Sequence, residues 1–387
     1  MPDLPAAGHP HLLDASMFWG PTGGVRRVLS AKQAGLTRAG WRHTLFAPGA
    51  RGPGCIDCGG LPLPSSGGYR VVLRRSHAAD LMVAQRPDIV EAADPYLLGW
   101  AALDAAVRLR VPAVAFCHSN LPALAARLVG GPQALATRRG RWAASRARSY
   151  LARLYAGFDM VLAPSLSMVQ RLHQWGVPRA LHQPLGVDCA VFSPAARDPQ
   201  WRQRIVRDLG LSADTRLLVY TGRFAPEKNL ALLTQAVALL GPGHVLLAVG
   251  SGPCPPRGER VILVPPVNDK RQLARLVASG DVYVHAGDQE TFGLGVLEAM
   301  ACGTPVIASA EGGLGELVQD AGTAVQRPTA VEWAEAISDR LGGDRVTHSS
   351  LNALSRARAH DWTLVVGQWA QRYRGLMQRH AGHTATE

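Results

Sequence analysis

Lysine is nearly missing from this chain of 387 residues: Lys32, Lys228 and Lys270 are three of its 41 basic side chains, and arginine supplies the rest. The formal charge of +12 is therefore an arginine charge spread along the whole length, concentrated only over residues 138–153. Such a skew reflects coding bias as readily as a polyanionic partner, so the charge alone names no ligand. Cysteine is sparse, with six residues at 55, 58, 117, 189, 254 and 302. Cys55-Ile-Asp-Cys58 has metal-ligand spacing, yet no second pair or nearby histidine completes a zinc or redox site, and the two read as ordinary loop and surface thiols. No apolar run approaches the roughly 18–20 residues of a membrane span. Residues 1–10 lack the basic patch and apolar core of a secretory leader, so the cytoplasm is the default expectation.

What is present is a globular chain, 47% apolar, long enough for two domains or a little more. Short apolar runs at 12–18, 43–46, 88–91, 112–117 and 159–163 read as strands, and helical stretches such as 97–109 and 167–175 lie between them. Gln183-Pro-Leu-Gly-Val-Asp-Cys-Ala-Val-Phe-Ser-Pro194 breaks the rhythm, and 186–194 read as a linker. A second alternating series follows, from a strand at 216–220 to one at 305–309. The expectation is α/β: two doubly wound domains, 1–185 and 195–363, with the carboxyl ends of their sheets facing a cleft. The last helical stretch, 364–380, is expected to pack back on the first domain, with a disordered tail after His380.

Two segments carry chemistry. Glu290-Thr-Phe-Gly-Leu-Gly-Val-Leu-Glu298 follows a strand-like run at 281–285 and opens a helix stopped by Gly303 and Pro305. It places two carboxylates at one mouth, with the amides of Phe292, Gly293 and Leu294 at a helix start that favours an anion. A ligand rich in both phosphate and hydroxyl groups, such as a nucleotide sugar, suits that pairing. In Tyr220-Thr-Gly-Arg-Phe-Ala-Pro-Glu-Lys-Asn229, Arg223 and Lys228 flank a turn ahead of a helix that Asn229 is expected to cap. A planar fork beside a compact point charge suits a diphosphate. Alone, the pair could be two solvated loop cations.

These segments resemble the donor motifs of retaining glycosyltransferases of family 4, with GT-B architecture. The resemblance runs nearly end to end, from Gly23-Gly24 through Leu185-Gly186-Val187-Asp188 and Phe192 to the C-terminal helix, and is specific over about 216–325. It implies that Arg223 and Lys228 hold the leaving diphosphate and that Glu290 bonds donor-sugar hydroxyls. Thr291 and the Phe292, Gly293 and Leu294 amides would meet sugar or phosphate, and Glu298 the ribose. His118, at the end of an apolar strand, is by itself a routine polar loop residue. The likeness to GDP-mannose-dependent α-mannosyltransferases makes it a group that steadies the donor near the scissile bond. Gly23 and Gly24 admit close backbone approach to donor or acceptor, or form a plain turn. Gly315 and the 264–267 loop (Val-Pro-Pro-Val) depart from the common pattern, which leaves the donor open between GDP-mannose and a UDP-hexose.

Asp-x-Asp does not occur despite 19 Asp, as expected where Arg and Lys neutralise a diphosphate and no metal or other cofactor is needed. The reading is a hexosyltransferase, mannose first, acting on a lipid or polysaccharide acceptor. Its alternatives are a sugar-nucleotide epimerase of related fold and a non-catalytic nucleotide-sugar-binding protein; the strands lack the aromatic–basic interleaving of nucleic-acid binders. Residues 138–158 form a basic amphipathic helix with Leu151, Leu154 and Phe158 on one face. Arg138, Arg139, Arg146, Arg148 and Arg153 take the other, with Trp142 among them. Its apolar face is expected to pack on the protein, and its Arg/Trp face fits an anionic membrane surface, hence a peripheral cytoplasmic location.

Overall fold

The structure, a computed structural model, describes residues 9–20, 23–63, 69–131, 136–342 and 346–384. Most of the segment read as no secretory leader (1–8), Pro21 and Thr22 of the glycine turn, and the last three residues of the tail lie outside them. The chain divides into two compact units, one of Met1–Pro164, Met168–Gln183 and Thr363–Glu387, the other of Ser165–Ser167 and Pro184–Trp362.

The first unit runs β1 (His11–Ala15), α1 (Gly24–Arg38), β2 (Arg42–Ala47), β3 (Cys55–Asp57), β4 (Leu61–Pro62), β5 (Arg70–Val71), α2 (Arg75–Ala84), β6 (Ile89–Ala92), α3 (Leu97–Leu109), β7 (Ala113–Phe116), α4 (Leu121–Gly130), α5 (Arg138–Tyr155), β8 (Met160–Ala163), α6 (Leu166–Gln174) and β9 (Ala180–His182). Seven strands form one parallel sheet in the order β3-β2-β1-β6-β7-β8-β9. Parallel strands are covered on both faces, which is why β6, β7 and β8 are buried at every position. β1 is shorter than the apolar run implied. Beyond Ser16 the backbone turns to side-chain acceptors: Met17 N–H donates to Asp94 Oδ2 at 2.5 Å and Phe18 N–H to Ser16 Oγ at 3.0 Å.

The second unit continues with α7 (Pro199–Asp208), β10 (Arg216–Thr221), α8 (Leu230–Leu240), β11 (His244–Val249), β12 (Val261–Val264), α9 (Lys270–Ala278), β13 (Val282–His285), α10 (Leu294–Ala301), β14 (Val306–Ser309), α11 (Gly312–Val318), β15 (Thr323–Val325), α12 (Ala330–Gly342) and α13 (Val346–Ala359). Its six strands are parallel, in the order β12-β11-β10-β13-β14-β15. Each sheet doubles back on its own order, so both units are doubly wound α/β, Rossmann-like layers.

The stretch read as a linker is part of the second unit. Val187 N–H donates to His360 O at 2.9 Å and Trp362 N–H to Val187 O at 3.1 Å, so the backbone of 186–194 begins in a bridge and is not a free tether. The final helix, α14 (Trp362–Thr384), clusters from Thr363 onward with the first unit and stays helical past His380, where disorder was expected. There the His380 ring bonds Arg110 O at 3.2 Å.

Helix α5 buries Ala143, Ala147, Leu151, Leu154 and Tyr155, and Phe158 follows it into the core. Arg138, Arg139, Arg146, Arg148 and Arg153 are exposed, and Trp142 is 64% exposed. Among the described residues, no helix is long and apolar enough to cross a membrane.

Candidate active site

In the second unit the strand order reverses between β10 and β13, which pair through Leu218 with Val282 and Val219 with Tyr283. The loops leaving their carboxyl ends are therefore neighbours, at the position where open α/β sheets take ligands. The β10 loop supplies Arg223 and Lys228. The β13 loop supplies His285, Glu290 and the start of α10.

Lys228 Nζ forms an ion pair with Glu290 Oε1, the two side chains 16% and 19% exposed. His285, which the sequence reading passed over, completes the group. Its Nδ1 accepts the Gly287 N–H at 3.2 Å, which leaves the ring proton on Nε2, 3.4 Å from the same Glu290 oxygen. Burial pushes the Glu290 carboxyl upward, but the Lys228 charge and the His285 hydrogen bond outweigh it and hold the group below the usual carboxylate range. Gly313 N–H donates to Glu290 O at 3.2 Å and fixes the peptide as well as the side chain.

Arg223 is held differently. Its Nη2 donates to Glu227 Oε1 at 2.6 Å, with the guanidinium 62% exposed. An exposed pair of this kind contributes at most about 1 kcal/mol, so the side chain is cheaply redirected. Its backbone is fixed: the Tyr220 hydroxyl donates to Arg223 O at 3.0 Å, and Phe224 N–H to Ser251 O at 2.8 Å.

Asn229 does not cap α8 with its side chain. It sits in the left-handed region at φ 51° and donates Nδ2–H to Ala286 O at 2.9 Å, stitching the β10 loop to the β13 loop. A side-chain cap requires extended backbone at that position, which the preceding 3-10 turn at Pro226–Lys228 denies.

Gly293, at φ 110°, immediately precedes helix α10, and an added Cβ there would also overlap the Leu314 side chain. Leu297 N–H is the first to reach an intrahelical carbonyl, that of Gly293 at 3.1 Å, so the Leu294, Gly295 and Val296 amides have no acceptor within the helix. Thr291 is half-buried. Phe292 is core, its ring 5.8 Å from that of His360. Glu298 lies one turn into α10 and is 7% exposed; with burial, its charge pushes the Cys302 thiol up to about 12. Gly315, which departs from the common pattern, is inside α11.

The remaining two signals are in the first unit, whose strand order reverses between β1 and β6. Gly23 precedes α1 at φ 141°, a conformation that disfavours any side chain, and Gly24 is the first helical residue. His118 lies two residues past β7 with its ring stacked on Phe116, centroids 4.2 Å apart and planes 24° apart. Burial lowers its imidazole to about 3, with Asp14 opposing and Lys32 reinforcing the shift, so the ring is neutral across physiological pH.

The sequence and the fold are similar to those of known proteins. Residues 22–191 match the family described as Glycosyltransferase Family 4, and 215–342 match Glycosyl transferases group 1. Over 308 residues the chain is 33% identical to a GDP-mannose-dependent alpha-mannosyltransferase of Mycobacterium tuberculosis (strain CDC 1551 / Oshkosh), covering 77% of this chain and 76% of that protein. Over 348 residues it is 29% identical to a GDP-mannose-dependent alpha-(1-6)-phosphatidylinositol dimannoside mannosyltransferase of Mycobacterium tuberculosis (strain ATCC 25177 / H37Ra), covering 84% and 86%. Among solved structures, sucrose-phosphate synthase from Thermosynechococcus elongatus has the same fold, with a TM-score of 0.77 at 23% identity over 96% of this chain and all of that one. Anabaena HepE, solved with UDP and glucose, gives 0.71 at 18% over 94% and 99%. The chain belongs to glycosyltransferase family 4 and is a hexosyltransferase built on the GT-B architecture.

Proposed function

We propose that the protein moves mannose from GDP-mannose, with retention and without a metal ion, onto a lipid or polysaccharide acceptor at the cytoplasmic face of a membrane. The observation that carries this is the Lys228–Glu290–His285 cluster beside the start of α10. A cation and helix-start amides meet the diphosphate, and an ionised, fixed carboxylate accepts hydrogen bonds from sugar hydroxyls. Arg223, held by an exposed pair alone, turns from Glu227 to the leaving phosphate. Glu298 takes the ribose, and the neutral His118 steadies the donor near the scissile bond.

The bond from the anomeric carbon to the phosphate oxygen breaks as the acceptor oxygen bonds the same face, and the acceptor proton passes to the departing phosphate. Glu290, paired with Lys228 and bonded to His285, is a poor nucleophile, which favours this front-face route over a covalent intermediate. Aimed positive charge on the leaving group supplies most of the acceleration. GDP-mannose is favoured because the two mannosyltransferases above carry it in their names. The acceptor class draws on one of those names and on the exposed Arg/Trp face of α5.

The test is thermal denaturation with GDP, UDP and ADP, each with Mg²⁺ and with EDTA. A ligand at about 100 times its dissociation constant stabilises by roughly 2.7 kcal/mol, several degrees in midpoint. A shift with GDP, unchanged by EDTA, is expected. A shift only with UDP, or only with Mg²⁺, overturns the donor or the metal-free phosphate site respectively.

A further inference from the structure

The first unit buries a charge network that the donor site does not use. Lys32 of α1, 1% exposed, donates to Asp14 Oδ2 of β1 at 2.8 Å and to Glu91 Oε1 of β6 at 2.5 Å. The Tyr373 hydroxyl of α14 donates to the other Glu91 oxygen, and His43 Nε2 lies 3.5 Å from Asp14 Oδ2. Taking these groups out of water is costly, and a buried ion pair is weak evidence for stability, so the arrangement needs another rationale.

The aromatic neighbours supply one. The Lys32 ammonium sits over the rings of Trp369 and Tyr373, 5.2 and 5.4 Å from their centroids. Trp369 in turn lies 5.7 Å from Phe116, and His118 stacks on that same Phe116 ring at 4.2 Å. A continuous line of contacts thus runs from the Lys32 network through Trp369 and Phe116 to His118. Phe116, Trp369 and Tyr373 are all fully buried, so none has room to adopt another pose cheaply.

We propose that Trp369 of the carboxyl-terminal helix is the positioning residue of His118, acting through Phe116. The inference rests on the donor-site role given to His118, but its first reading needs no turnover. Imidazole resonances of the full-length protein are recorded for wild type, Phe116→Leu, Trp369→Leu and Trp369→Phe, with His118→Gln giving the assignment.

Trp369→Leu is expected to move the His118 signals in the direction seen in Phe116→Leu, as the stacked ring's shielding is lost, while Trp369→Phe keeps them near wild type. In transfer assays, Trp369→Leu lowers kcat by about 10- to 100-fold, the scale on which small misplacements act, with donor KM within about twofold. Trp369→Phe restores it, and the leucine change adds no loss on a His118→Gln background. Unmoved His118 signals in folded Trp369→Leu, or losses that multiply in the double variant, overturn the proposal. If the leucine variant does not fold, Trp369→Met keeps apolar bulk without the ring plane and gives the same readings. A wild type that transfers no sugar defeats the proposed function and leaves the resonance test standing.

Discussion

Lys228 Nζ and Glu290 Oε1 are ion-paired across two loops separated by 62 residues in sequence but leaving adjacent strands of one sheet. The pair orders the carboxylate before any donor arrives. Glu290→Ala is therefore expected to leave the fold intact and lower kcat by about 10²- to 10³-fold, the scale of removing one preorganised polar group. Circular dichroism and initial rates check both halves. Wild-type turnover in the variant would take Glu290 out of the site.

Lys228 is expected to distinguish diphosphate from monophosphate. A charge-assisted hydrogen bond contributes about 1.5–3 kcal/mol, so Lys228→Ala should weaken GDP by roughly 10- to 100-fold and GMP much less. Titration calorimetry on both ligands decides it. Equal losses contradict a contact to the leaving phosphate.

The halves of this site were unequally legible in the sequence. Arg223, Lys228, Glu290 and Glu298 lie in segments whose turn residues and helix stops mark strand-to-helix turns, and the paired strands bring two of them together. His285 carries only a weak signal, a polar end to the apolar run Asp281-Val-Tyr-Val-His285. That Asn229 would bond Ala286 O could not be read, because it depends on a left-handed backbone and on strand pairing. Lys32 stood out as one of three lysines, yet nothing local reveals two carboxylates and two aromatic rings drawn from β1, β6 and α14. Long-range packing decided those contacts, whereas the Arg223–Glu227 pair is a local one, four residues apart in one loop.

Gly293 tests the helix start directly. At φ 110°, with Leu314 against the place a Cβ would occupy, Gly293→Ala is expected to cost about 1–3 kcal/mol and to weaken donor binding at the same time. Denaturant unfolding read beside GDP affinity checks the coupling. A stable variant with unchanged affinity would mean that the Leu294–Val296 amides do not face the donor.

Asp94 gives a pH signature. Burial raises its carboxyl from 3.8 to about 6, against hydrogen bonds from the Met17 and Tyr96 amides that lower it. A raised folded value means the folded protein binds the proton more tightly. That contribution is complete below about pH 4 and is lost as pH rises through 6. Asp94→Asn cannot ionise and loses one amide acceptor at every pH, so it starts less stable than wild type. The gap should narrow between pH 4 and 6, by about 1–3 kcal/mol, and then stay level. A gap independent of pH over that range would show that Asp94 is ionised throughout.

The exposed face of α5 predicts attachment to anionic lipid. Its apolar face is already spent on the core through Leu151, Leu154 and Tyr155, so what remains for a surface is arginine and Trp142, with Leu128 and Val129 of α4 also exposed. Cations near an anionic leaflet contribute about 1 kcal/mol each, an attraction that salt screens within about 8–10 Å. Reversing two of them with Arg146→Glu and Arg148→Glu should weaken binding to phosphatidylserine vesicles by at least about 30-fold, since 2 kcal/mol is lost before any repulsion is added. Soluble-acceptor turnover should be untouched. Vesicle flotation at low and high salt separates the outcomes: binding that ignores both salt and charge reversal would be carried by apolar contact. A wild type that never floats would end the membrane proposal and leave the acceptor to be sought in solution.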